Sequence, residues 1–424
     1  MKNSNKANAS QNNGKTGSYH LKKIQIKKDI IDIFYKDGLK TIADLCELTN
    51  NSIPSTTNIM NELVQEGWVH NVGIGESKGG RKPAVYDLNT DAGLMAAIDI
   101  SRNFSRLGIF NLKNEQLGNI IELQEGLETS DNILALLKEA LEAILEENQI
   151  KEKNILGLGL TIPGLIDIKT GVSYSYSQFG ERPLREFFRD YFDIQSTIEH
   201  DTKAMAVGES WFGRARGKSN VLFINIGSGI GLAILINGEL YHGHSGFCGE
   251  FGHIQMDPDG DLCYCGKIGC LETIASGTAL VKKSREEISG GKSSIIRNLV
   301  DNNTEAITLN TIIEAANQGD LFAIELIEEA GEHLAKGISI LIHLFNPETI
   351  IIGGEMSEAG NLITDPIQQK LNKYTMLRLR KDSEIILSAL KEKAGLYGTL
   401  PLIFDRIIQD HFAHSWANGS SNNK

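Results

Sequence analysis

Residues 248–276 read C-G-E-F-G-H-I-Q-M-D-P-D-G-D-L-C-Y-C-G-K-I-G-C-L-E-T-I-A-S. One imidazole and three thiols, His253, Cys263, Cys265 and Cys270, fall within eighteen residues among turn-forming glycines. Three thiolates and one imidazole fill a tetrahedral zinc site and leave no position for water, so the spacing predicts a structural Zn2+ rather than a catalytic one. Glu250 and Glu272 flank the loop. A metal-pinned loop would hold both carboxylates on a rigid platform, as recognition of a polyol demands; without it they are two surface acids.

The elements around this loop must come from a chain of 424 residues, long enough for two or three domains. Hydrophobic and charged fractions of 41% and 23% are those of an ordinary globular protein. No apolar run is long enough to span a bilayer, and the N-terminus does not read as a secretory signal. Five cysteines, three of them in the metal loop, leave only Cys46 and Cys248. No disulfide framework is expected, and a reducing cytoplasm fits.

Charge is unevenly spread. Residues 1–40 hold nine lysines against three aspartates, a balance of +6, within a chain of net charge −12. Only the front end is therefore expected to meet a polyanion. Residues 1–20, rich in Asn, Ser, Lys and Gly, are expected to be disordered. Ile24, Ile26, Ile30, Ile31, Ile33 and Phe34 then mark one face of a helix. A second helix follows Thr41 with Ile42, Ala43 and Leu45 inward. A third runs over residues 52–65, with Ser52 at its N-cap, Pro54 in its first turn, and Ile53, Ile59, Met60, Leu63 and Val64 inward. Strands at 68–72 and 84–88 enclose the basic loop K-G-G-R-K-P (78–83).

Three helices and a β-hairpin make a winged helix-turn-helix over residues 21–91, partnered by operator DNA. Ser55, Thr56, Thr57, Asn58 and Asn61 are the expected base readers. Lys22, Lys23, Lys27, Lys28, Lys78, Arg81 and Lys82 are the expected phosphate holders. The third helix has no cation and carries Glu62 and Glu66, so a protein-docking module stays open as the alternative.

Beyond residue 91 the texture is α/β. Strands at 94–100 and 107–112, a helix at 132–147 and a strand at 155–160 ending in T-I-P-G recur downstream. There, strands at 221–226 and 232–236, helices at 311–345 and a strand at 349–352 ending in G-G follow the same design. Duplication of this kind predicts two lobes with a cleft between them. The turn G-S-G-I-G (227–231) leads into a strand, not a helix, which excludes a dinucleotide-binding fingerprint. It can cradle a phosphate on backbone N–H groups or be a plain turn.

Together these pieces resemble the ROK family of repressors and sugar kinases, over residues 21–408. The likeness rests on G-E-F-G-H (249–253) with C-Y-C-G-K-I-G-C-L-E (263–272), on T-I-P-G-L-I-D (161–167), I-G-S-G-I-G (226–231) and I-I-G-G (351–354), and on the repressor-like G-R-K-P (80–83). It implies an actin/hexokinase-like domain over residues 92–408. Lobe one would hold 92–200 and 388–408, lobe two 201–387, and 409–424 would be a flexible tail. The resemblance further implies that Asp201, Glu250, His253 and Glu272 line a sugar pocket, beside His200 where the family usually has Asn. In kinase members the residue at the Asp201 position is the general base. Where those kinases carry Asp-x-Gly-Gly-Thr, this chain has Asp99-Ile100-Ser101-Arg102-Asn103. Side chains there obstruct ATP phosphates. The expectation is a sugar-responsive transcriptional regulator, a repressor acting as a homodimer or homotetramer on a sugar or sugar phosphate. The alternative is a sugar kinase using ATP and Mg2+ through Asp201.

Overall fold

The computed structural model describes residues 5–75, 82–167 and 169–421, with side chains described outside 5–20, 153 and 413–421. Helix α1 (Asn5–Asp37) opens the chain, followed by β1 (Lys40–Thr41), α2 (Ile42–Thr49), α3 (Ile53–Gln65), β2 (Val69–Ile74) and β3 (Ala84–Leu88). The Thr41 hydroxyl accepts from the Asp44 N–H at 3.2 Å while the Asp44 carboxylate accepts from the Thr41 N–H at 2.8 Å, a capping box that starts α2. Ile30, Ile31, Phe34, Leu45, Ile59, Met60 and Leu63 are buried between the helices. Strand β3 pairs with both β1 and β2, so the wing rests on a three-stranded sheet.

The body has two five-stranded sheets of the same design. In the first, β4 (Leu94–Ile100), β5 (Ser105–Asn111), β6 (Gln116–Leu123), β7 (Ile155–Ile162) and β8 (Ser196–His200) lie in the order β6-β5-β4-β7-β8. Helices α4 (Ile133–Glu147) and α5 (Leu184–Phe192) belong to this lobe. After α6 (Asp201–Phe212), strands β9 (Val221–Ile226), β10 (Ile230–Ile236) and β11 (Glu239–Leu240) begin the second sheet. Helices α7 (Glu272–Ala275), α8 (Gly277–Ser289), α9 (Ile296–Leu299), α10 (Leu309–Asn317) and α11 (Leu321–Phe345) follow. Then come β12 (Thr349–Gly353), α12 (Asn361–Tyr374), α13 (Leu377–Asp382), β13 (Glu384–Leu387) and α14 (Ala394–Ser421). The second sheet runs β11-β10-β9-β12-β13. In each sheet the first three strands are antiparallel neighbours and the last two add in parallel. The expected two lobes are therefore present. Among the described residues no helix is long and apolar enough to cross a membrane.

Helices α6 and α14 cross between the lobes at a backbone-to-backbone contact. A Cβ on Gly398 would overlap the Ala204 carbonyl, and one on Gly208 would overlap that of Ala394. Only glycine permits this approach. Farther along α14, Phe404, Ile407, Ile408 and Phe412 share one apolar cluster with Ile30, Phe34, Trp68 and Leu88 of the N-terminal head.

Helix α1 is continuous over Asn5–Asp37, through most of the stretch expected to be disordered, and α14 over Ala394–Ser421, through the expected tail. Two expectations need correction. On α3 the core stripe is Thr56, Ile59, Met60 and Leu63, which leaves Ile53 and Val64 exposed, Val64 standing about 100° round the helix from Leu63. Ala43 is exposed as well, since α2 turns only Leu45 fully inward.

Candidate functional site

The four predicted metal ligands converge. One donor atom from each of His253, Cys263, Cys265 and Cys270 lies within 4.8 Å of all the others. Cys263 Sγ is 3.6 Å from His253 Nδ1, and Cys265 Sγ is 3.6 Å from Cys270 Sγ. Tetrahedral ligands at about 2.0–2.3 Å from a zinc ion stand roughly 3.3–3.8 Å apart, and these two separations match edges of such a tetrahedron. The loop owes its shape to two short bridges, Gln255 with Cys270 and Leu262 with Ile268. At Gly269, φ is +69° and a Cβ would overlap the Asp257 carbonyl, so no side chain fits.

His253 faces two ways. Its Nε2 lies 3.1 Å from the Tyr264 hydroxyl and 3.9 Å from Glu250 Oε2. The Tyr264 hydroxyl also accepts from Arg102 Nη2 at 3.0 Å, and the Arg102 guanidinium stacks 5.0 Å from the Tyr264 ring centre. Arg102 thus links the β4–β5 turn of lobe one to the metal loop of lobe two. Glu272 is buried, and its Oε2 accepts from the Ile230 N–H at 2.8 Å. That bond ties the metal loop to the glycine turn between β9 and β10, which is a hairpin as expected.

On the facing wall β8 ends at His200 and α6 starts at Asp201. Asp201 Oδ1 accepts from the Thr202 N–H at 2.5 Å and the Thr202 hydroxyl at 3.1 Å, and His200 Nδ1 is 3.1 Å away. A cavity of about 610 Å³ opens beside this wall, within the range of roughly 300–1,000 Å³ usual for small-molecule sites. His200 and Glu250 line it, with Lys203, Asp167, Phe247 and, from α14, Arg406. Asp201, His253 and Glu272 are not among its lining residues. A second bridge between lobes, not anticipated from sequence, joins Glu199 Oε2 to His242 Nε2 at 3.0 Å. Burial opposes the charge on Glu199, but His242 and the His200 N–H outweigh it and hold the carboxyl below its usual range.

Acidic side chains stand beside the glycine turns as well. Glu355, which follows the Gly353–Gly354 pair, reaches within 3.7 Å of where a Gly227 side chain would start. Burial holds its carboxyl above the usual range, as does Glu392. Asp99 is fully buried; Oδ1 accepts from the Thr161 hydroxyl, and Oδ2 has no partner. Burial pushes its carboxyl up to about 6, against the lowering effect of the Thr161 bond.

In the head, Asn58 and Asn61 are exposed on α3, and Ser55 and Thr57 are half-buried, Thr57 donating to the Ile53 carbonyl at 2.8 Å. Thr56 is a correction: it is fully buried, since it stands three residues before Ile59 on the core stripe. Lys23 and Lys27 are a second. Lys23 pairs with Glu62 at 2.5 Å, and Lys27 with Glu62 at 2.9 Å and Glu66 at 2.5 Å. These lysines neutralise the acids of α3 rather than reaching outward for phosphates. Lys82 is exposed; Lys78 and Arg81 lie outside the described residues. Gln65, exposed on the same face as Asn61, escaped the sequence reading, although its spacing of four residues could have found it.

Comparison with known proteins follows the same outline. A family model described as "ROK family" matches residues 95–406. A xylose repressor of Caldicellulosiruptor bescii is 29% identical over 392 residues, covering 92% of this chain and 96% of its own. A glucokinase of Thermotoga maritima is 33% identical over 275 residues, 64% of this chain and 86% of its own. The crystal structure of a ROK family transcriptional regulator, a homologue of the E. coli MLC protein, superposes with a TM-score of 0.75 at 25% identity, covering 94% of this chain and 100% of that one.

Proposed function

This chain belongs to the ROK family, and from that premise we propose that it is a sugar-responsive transcriptional regulator, a repressor of genes for carbohydrate uptake or breakdown. In this reading residues 21–91 are the winged helix that binds operator DNA, and residues 92–408 are the two-lobed effector domain of a cytoplasmic homodimer or homotetramer. A sugar or sugar phosphate in the cavity meets His200 and Glu250 and extends to Asp201, His253 and Glu272 beyond its lining. His253, Cys263, Cys265 and Cys270 hold a structural Zn2+, for which three soft thiolates and an imidazole are a suitable set.

The observation that carries the reading is the double contact of one helix. Arg406 of α14 lines the cavity, while Phe404 and Phe412 of the same helix pack into the head. A ligand that prefers one lobe arrangement biases α14, and with it the head; differential affinity is what such coupling requires. The test is anisotropy of the intact protein on duplexes from upstream of sugar genes, titrated with salt and then with a panel of sugars and sugar phosphates. Salt-sensitive binding released by one member is expected. Absence of any salt-sensitive binding would return the head to a protein-docking role.

Asp201 supports a second reading, an ATP- and Mg2+-dependent sugar kinase. Both of its hydrogen bonds use Oδ1, which leaves Oδ2 to take a proton from a sugar hydroxyl. Arg102 and the half-buried Glu355 count against it, because each sits where a phosphate loop needs open backbone. Sustained ADP release with any sugar in the panel would establish the kinase.

A further inference from the structure

On α3, Asn58, Asn61 and Gln65 are exposed at spacings of three and four residues, which puts them in one line along the helix. Among the described residues none of the three carboxamides has a hydrogen-bond partner, whereas the neighbouring Thr57 hydroxyl is satisfied by Ile53. The helix has no Lys or Arg. Two lysines that reach it, Lys23 and Lys27, are held by Glu62 and Glu66.

The base-edge code of the major groove turns this arrangement into a prediction of sequence. Guanine presents two acceptors, O6 and N7, and is read by Arg or Lys. Adenine presents an acceptor and a donor, N7 and N6, and matches the paired acceptor and donor of a carboxamide. Ile53 adds an exposed aliphatic side chain at the start of the helix, a surface suited to a thymine methyl. Resting on the regulator reading above, we infer that α3 reads adenine–thymine pairs, with Asn58 and Asn61 as the principal adenine contacts and Gln65 extending the line. Guanine is not selected by this helix. The sequence preference of the protein is therefore for A·T-rich half-sites, while phosphate attraction comes from lysines outside α3.

The experiment is selection of duplexes from a fully randomised library by the intact full-length protein, followed by binding measurements on the winning site. The expected winners carry adenine–thymine runs in each half-site. N58A and N61A should each weaken binding to the winning duplex by about 5- to 150-fold, the range for loss of one bidentate base contact. Replacing the contacted adenines by 7-deazaadenine, which removes N7, should weaken the unaltered protein and leave N58A or N61A little changed. Guanine-rich winners, or winners bound equally by N58A, N61A and the parent, overturn the assignment. Failure to enrich any duplex overturns the regulator reading and this inference with it.

Discussion

The indole Nε1–H of Trp68, where α3 passes into the wing, donates to His411 Nε2 at 3.1 Å, the two rings meeting edge to face at 4.9 Å. Trp68 belongs to the head and His411 to α14, whose earlier turns line the cavity. The contacts with Trp68 that His411→Ala removes are worth together about 1–3 kcal/mol. The expected result is a modest loss of thermal stability, with sugar affinity retained and sugar-driven DNA release blunted. Calorimetric sugar binding beside anisotropy on DNA measures both; unchanged release in H411A would remove α14 from the signal path.

The metal loop was legible because its four donors are local, set within eighteen residues by glycine turns, and the paired sheets because their strand and glycine pattern repeats. Long-range pairings were not. Lys23 and Glu62 are 39 residues apart, and Trp68 and His411 are 343 apart; linear charge counting and periodicity carry no information about such partners. Thr56 misleads for another reason. A hydroxyl counts as polar in any pattern of apolar spacing, yet this one occupies the core stripe.

Arg102 and Tyr264 join the β4–β5 turn of lobe one to the metal loop of lobe two. A sugar hydroxyl that seeks His253 Nε2 must displace the Tyr264 hydroxyl, and Arg102 stabilises Tyr264 in place by a charged hydrogen bond and ring stacking. Arg102→Ala should therefore tighten effector binding, up to about tenfold, by removing that competing contact. Titration calorimetry with the identified effector decides it. Weaker binding would make Arg102 itself a ligand contact.

Cys265 is exposed, unlike Cys263 and Cys270, so Cys265→Ser disturbs no packing. It should nonetheless lower bound zinc and the melting temperature, and abolish the sugar response, because loss of a structural ion costs folding energy. Metal content by plasma mass spectrometry beside a thermal melt checks both. A variant that keeps its response without metal would show that Glu250 and His253 are positioned by the protein alone.

Asp99 gives a pH dependence of definite sign. Its folded carboxyl is raised to about 6 from the ordinary 3.8, so the native state binds the proton more tightly than the unfolded chain. Stability contributed by this group is full below the unfolded value and falls as pH rises through the folded one, a change on the order of 3 kcal/mol. Asp99→Asn keeps an acceptor for the Thr161 hydroxyl and carries no charge. The substituted protein should be more stable than the parent at pH 8 and close to it at pH 4. Urea midpoints at the two values test this; equal gains at both would mean that packing, not ionisation, is what changed.

Lys27 should affect DNA binding without touching DNA. It is buried, and its ammonium compensates Glu62 on the helix that carries the carboxamides and Glu66 at the cap that ends it. Lys27→Met leaves two carboxylates only partly compensated beside a polyanion, so affinity falls. The dependence of log affinity on log salt keeps its slope, because no phosphate contact is lost. Lys82, exposed at the wing, should behave the other way, with its alanine variant losing affinity and close to one unit of slope together. Adding Glu62→Gln and Glu66→Gln to the Lys27→Met protein should restore much of the affinity, since the uncompensated charge is then gone and only the packing of the lysine stem is missing. If the triple variant binds no better than K27M, or if K27M alone lowers the salt slope, Lys27 is a direct DNA contact and the ion pairs seen in the free protein open when the duplex docks.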